Sequence, residues 1–148
     1  MSKRLLILGR GTTAEQLAEL GGRLGYDELR VLDEVPGDII QADHVVVAEE
    51  RDELGRALLL AAARGQVLPD YLAFAAPRRA GTSALVSLAA QGVPADRIAR
   101  ISAPAGVDVG AETPAEIAIA VAAELVALRH GRTRPSLGII SSPDAERN

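Results

Sequence analysis

Gly9-Arg10-Gly11-Thr12-Thr13-Ala14 is the stretch whose residue types and spacing point most directly to chemistry. Glycine at the first position permits a tight turn, and glycine at the third lets a pyrophosphate approach the main chain. Alanine at the sixth lets a following helix pack against the preceding strand. The start of that helix then faces the anion, with Arg10, Thr12 and Thr13 beside it. Asp33 lies 24 positions after Gly9, where a second strand should end, and a carboxylate there can accept hydrogen bonds from a ribose diol. Such an acid repels a 2′-phosphate. With Glu34 following and no arginine beside it, the residues favour NAD or another unphosphorylated ribose over NADP. A plainer alternative stays open: Gly9 to Ala14 is the first turn of a doubly wound fold that holds no ligand.

Two further groups fall at the same expected edge. Arg78 and Arg79 follow the fourth expected strand, where they either meet a phosphate or carboxylate or begin a solvated helix. Asp108 lies in a glycine-interrupted loop, Pro104 to Pro114, where it belongs to a second anion or partner site or fixes a turn before a helix cap. His44 and His130 stand 86 positions apart with no ligand spacing around either, so a metal site is not expected.

Composition removes other chemistries. There is no cysteine, hence no disulfide, thiolate metal site or cysteine nucleophile. Lys3 is the only lysine among sixteen basic residues, which leaves arginine to supply the cationic contacts and removes a P-loop lysine. A net charge of −4, with no basic stripe and only Tyr26, Tyr71 and Phe74 to stack a base, argues against nucleic acid. No apolar run approaches twenty residues, and the one after Met1 is too short for a signal peptide, so the expectation is a soluble, cytoplasmic protein with no membrane partner.

The elements that would position these residues alternate. Strands are expected at Arg4 to Leu8, Leu29 to Leu32, Asp43 to Ala48, Tyr71 to Ala75 and Arg97 to Ser102, each followed by a crossover. Helices are expected over Ala14 to Leu24 with Gly25 as C-cap, Asp52 to Arg64, and Gly81 to Gln91. Thr113-Pro114-Ala115-Glu116 is a capping box that opens a last helix running to about His130. The pattern predicts an α/β fold: a Rossmann-like, doubly wound three-layer sandwich with a mainly parallel sheet of about five strands. One domain spans residues 1–132, and residues 133–148 read as a polar, mobile tail. The last helix is apolar on nearly every face, through Ile117, Ile119, Val121, Leu125, Val126 and Leu128, which predicts a covering partner such as a second copy in a homodimer.

Three stretches together resemble the Rossmann-like C-terminal domain of the XdhC/CoxF family, accessory proteins of molybdenum hydroxylases such as xanthine and carbon monoxide dehydrogenases. They are Leu6 to Gly11, Tyr71 to Arg79 with its paired arginines, and above all Pro104-Ala105-Gly106-Val107-Asp108-Val109-Gly110-Ala111-Glu112-Thr113-Pro114-Ala115-Glu116-Ile117-Ala118. The ending Ala123 to Arg132 is similar as well. The resemblance implies a maturation factor that binds molybdenum cofactor (molybdopterin), or a nucleotide attached to it, and delivers it to an apo molybdenum hydroxylase without transforming it. It also implies a separate XdhC N-terminal-domain protein as partner, since family members usually carry such a domain with a cysteine-bearing motif. Two stretches depart from the family pattern, Ala48-Glu49-Glu50-Arg51-Asp52 and Ala76-Pro77-Arg78-Arg79, and both fall at the ligand edge. Against the accessory reading stand an NAD-dependent oxidoreductase, for which only Asp108 and His44 offer loose acid-base candidates, and an NAD-binding sensor without turnover.

Overall fold

A computed structural model describes residues 3–132. The tail expected over 133–148 lies outside the described residues. Five strands, β1 (Arg4–Leu8), β2 (Glu28–Leu32), β3 (His44–Val47), β4 (Tyr71–Phe74) and β5 (Ile101–Ser102), form one all-parallel sheet in the order β2-β1-β3-β4-β5. The helices are α1 (Thr12–Gly21), α2 (Asp52–Ala63), α3 (Arg78–Ala90), the single-turn α4 (Ala95–Ile98) and α5 (Pro114–Arg129). This is the Rossmann-like α/β sandwich expected from the sequence.

The central strands are continuous apolar runs because both their faces are covered, so no side chain has a solvent side to turn toward. Leu5 to Leu8 and Val45 to Val47 are completely buried. Leu6, Leu8, Val45, Val47, Leu72 and Phe74 pack under α2 and α3. Leu5, Ile7, Val46, Tyr71 and Ala73, the alternate positions, pack under α1 and α5. The order of strands reverses between β1 and β3, and the carboxyl edge at such a reversal is where α/β sheets bind ligands. Among the described residues no helix is long and apolar enough to cross a membrane.

Several boundaries differ from expectation for identifiable reasons. The fifth strand is two residues rather than six. Pro94 starts a turn whose carbonyl accepts from the Arg97 and Ile98 amides, and Arg97 donates to the Ala63 and Gly65 carbonyls, both at 2.8 Å, which holds Ala95–Ile98 as α4. No helix crosses from β2 to β3; an irregular segment, residues 33–43, makes that connection, anchored by buried Asp43 accepting from Arg4 and from the Ile40 amide. Helix α1 stops at Gly21, with Gly22 as its cap and Gly25 in the turn beyond at φ +84°. Helix α3 begins at Arg78, three residues early, which makes Arg78 and Arg79 its first turn.

Helix α5 keeps its expected start: the Thr113 hydroxyl accepts from the Glu116 amide while the Glu116 carboxylate accepts from the Thr113 and Glu112 amides. Its inner face lies on the sheet and alongside α1, and Ile119 and Val126 remain on the outer face, 61% and 40% exposed.

Candidate functional site

At the carboxyl edge each strand passes its ladder into the loop that follows. The Gly9 amide donates to the Leu32 carbonyl, Ala48 to Leu8, Ala75 to Val47 and Ala105 to Phe74, all at 2.8 Å. The sheet therefore sets where each loop starts, and the loops bring the expected site residues into two groups.

The first group surrounds the glycine turn. Gly9 has φ +112°, and a β-carbon there would lie 2.5 to 2.7 Å from the Cβ, Cα and backbone nitrogen of Glu49, so only glycine fits. Gly11, at φ +136°, caps α1, whose first turn holds Thr12 and Thr13. Asp33 does sit at the end of β2, but it is not free for a ribose. The Arg10 guanidinium grips it through two bonds, Nε to Oδ1 at 2.5 Å and Nη2 to Oδ2 at 2.9 Å, which lowers the carboxyl below its usual range. The sequence argument that no arginine stands beside Asp33 is thereby corrected, because Arg10 reaches it from the glycine turn after the neighbouring strand. Both side chains are largely exposed, so the pair is solvent-screened and a ligand could displace it.

Glu49, Glu50 and Arg51 complete this group and were not among the expected site residues. Buried Glu49 accepts from the Arg10 amide (3.0 Å) through one oxygen and from the Arg51 amide and Nε (3.0 Å each) through the other. These bonds, that of the Arg51 side chain first, hold its carboxyl down at about 2. Glu50 lies against Gly11. The signal available in sequence was two adjacent acids directly after β3, at the strand end that adjoins β1.

The second group lies beyond β4 and β5. Arg78 Nη2 and Asp108 Oδ2 are 2.6 Å apart, both exposed, across the mouth of a cavity of about 280 Å³ that is walled by Pro104 to Ala111. Arg79, next along α3, does not line it. A second cavity of about 280 Å³ lies on the other side of Ala76 and Ile117, which wall both, and Thr13, Glu50, Phe74 and Glu112 line it. No side chain caps α3, whose N-cap is Pro77, so its first amides have no side-chain acceptor.

The wall between 104 and 111 is fixed from below. Buried Glu124 of α5 accepts from the Gly106 amide at 3.0 Å and from the Tyr71 hydroxyl. Gly106, at φ +97°, rests on the α5 backbone: a β-carbon would stand 2.7 Å from the Ala120 carbonyl carbon. His44 lies at the opposite, amino edge of the sheet, buried between Tyr26 and Tyr71 with Nδ1 2.7 Å from the Tyr26 oxygen, and Asp108 does not share a site with it. No group of three histidine or acidic side chains able to hold a metal occurs among the described residues.

Comparison with known proteins gives matches of three kinds. A family model described as the XdhC Rossmann domain matches residues 5–125. The uncharacterized protein YqeB of Escherichia coli (strain K12) is 43% identical over 60 residues, which cover 40% of this chain and 11% of that protein. A crystal structure described as a xanthine dehydrogenase from Bacillus halodurans superposes with a TM-score of 0.65 at 18% identity, covering 93% of this chain and 46% of the other. That likeness carries the fold, and the chain spans less than half the length of either protein.

Proposed function

The chain belongs to the XdhC family through its Rossmann domain, and we propose that it acts as an accessory domain in the maturation of a molybdenum hydroxylase, holding molybdenum cofactor or a nucleotide form of it as cargo. The observation that carries this reading is the pair of adjoining cavities at the carboxyl edge with Arg78 and the uncapped start of α3 beside them. A molybdopterin-type cargo needs an anion seat for its phosphate and an apolar wall for its planar ring system. Arg78 and the first amides of α3 supply the seat, and Ala76, Pro104, Ala105 and Ile117 supply the wall, so the residues present fit the group. In the hydroxylase the group provides the molybdenum that carries out the oxidation; on this chain it is bound and handed over.

Holding rather than transforming suits the charges at that edge. Arg10 pairs with Asp33, Arg51 with Glu49, Arg56 with Asp52 and Arg78 with Asp108, so these charges are engaged with one another. An NAD-binding role has less support, because the Glu50 side chain occupies the space over Gly11 where a pyrophosphate would approach.

Equilibrium dialysis against molybdenum cofactor released anaerobically from a hydroxylase, with molybdenum counted by mass spectrometry, tests the reading. Retention by the parent, and loss of about tenfold in affinity with Arg78→Ala, is the expected result. Equal retention by both proteins moves the cargo away from α3, and no retention by the parent refutes the reading.

A further inference from the structure

We infer that Glu50 determines what the glycine turn accepts, and that it excludes phosphates and pyrophosphates from the start of α1. The inference is independent of the accessory reading, which seats the cargo's anion at α3. The Gly-x-Gly turn is suited to an anion for two reasons, a bare α-carbon that leaves room and backbone amides that donate. Both are taken here by the chain itself. A β-carbon on Gly11 would lie 2.6 Å from Glu50 Oε2 and 2.8 Å from its Cγ and Cδ, so the room over Gly11 is filled by the Glu50 side chain. The Arg10 amide already donates to Glu49 Oε1 at 3.0 Å.

The arrangement is built into the backbone. The Glu50 amide donates to the Arg10 carbonyl at 3.1 Å, so the turn after β1 and the loop after β3 are bonded to each other in both directions. Glu49 is clamped by Arg51 and stays ionised far below neutral pH. A phosphate arriving at the Thr12 and Thr13 amides would stand against two carboxylates, one fixed and one lying directly over the glycine. Asp33, which in a dinucleotide site would take the ribose, is held by Arg10 from the same turn. The fingerprint is thus kept as a turn that joins β1 to α1, with its ligand face closed by acids from the neighbouring strand.

Glu50 is exposed, so its replacement leaves the core intact. Calorimetric titration of the parent, Glu50→Gln and Glu50→Ala with inorganic pyrophosphate and with ADP tests the inference, with amide shifts in ¹⁵N–¹H spectra locating the bound anion. Both variants should bind at least about tenfold more tightly than the parent, as expected for removing one opposing charge, with shifts at Gly11, Thr12 and Thr13. Three results overturn it: parent and variants binding equally, a gain whose shifts lie elsewhere, or no binding by any of the three proteins.

Discussion

At the scale of single residues, Gly9 and Glu49 form one unit. A methyl group on Gly9 meets the backbone of Glu49 as well as its Cβ, and backbone cannot yield as a side chain end does. Gly9→Ala should therefore cost roughly 2–4 kcal/mol in urea unfolding, from a positive φ and a clash together. His44 gives a second expectation. Burial first, then Lys3 and Arg129, push its imidazole down to about 4, opposed by Asp70 and Asp43. The unfolded chain takes up this proton near pH 6.5, before the folded one does. Stability is complete above that pH and falls, by on the order of 1–2 kcal/mol after screening, as pH drops toward 4. Glu49, lowered from 4.5 to about 2, begins to lose its contribution near pH 4.5, at the acid end of that window, and loses most of it below. Thermal melts from pH 7 to 4 should show the first limb in the parent and a flatter one in His44→Gln. The residues of the site were only partly legible in sequence. A glycine declares its need for space by its identity, so Gly9 and Gly11 could be read directly. Glu49 and Glu50 could not, because what they touch lies some forty positions away and is adjacent only through the β1–β3 pairing. For the same reason Arg10 and Asp33 were each singled out, yet not as partners.

At the scale of elements, legibility followed how local the cause is. Helix α5 was readable because Thr113, Pro114 and Glu116 fix its start within four residues. Thr113→Ala should cost about 1 kcal/mol, seen as a lower urea midpoint with an unchanged slope. Strand β5 and helix α4 were misread because the deciding contact is distant: Arg97 is held by carbonyls at the end of α2. The irregular connection after β2 is likewise fixed by distant contacts, in the Arg4–Asp43 and Arg4–Asp38 pairs that tie residues 38 to 43 to the first strand. Loop 104–111 and α5 form a further non-local unit through Glu124. Glu124→Leu removes the acceptor of the Gly106 amide, and hydrogen exchange at Gly106 should rise sharply while exchange in β1 changes little. Glu124→Gln keeps a carbonyl oxygen there and should restore most of the protection. Equal exchange in the two variants would mean that the Gly106–Ala120 packing alone fixes the loop.

At the scale of the whole molecule, the sheet order places two adjoining cavities at its carboxyl edge and leaves the outer face of α5 to solvent. Two of its residues, Ile119 and Val126, lie seven positions apart and so on one side of the helix, and Val109, 64% exposed, shares a shallow hollow with Ile119. The apolar character that sequence assigns to α5 is thus half accounted for: α1 and the sheet cover one side, and nothing in the chain's described residues covers the other. A stable interface buries about 1,000 Å² or more, which three exposed side chains do not supply. Self-association through this face must therefore recruit the surrounding loop and remain concentration-dependent. Light scattering across a hundredfold range of concentration should show the mass rising toward two copies, with Ile119→Lys holding it at one copy and changing unfolding stability by less than about 0.5 kcal/mol. A parent that stays at one copy throughout would leave the outer face of α5 to a different protein, and an Ile119→Lys variant that still doubles would put the contact elsewhere on the surface.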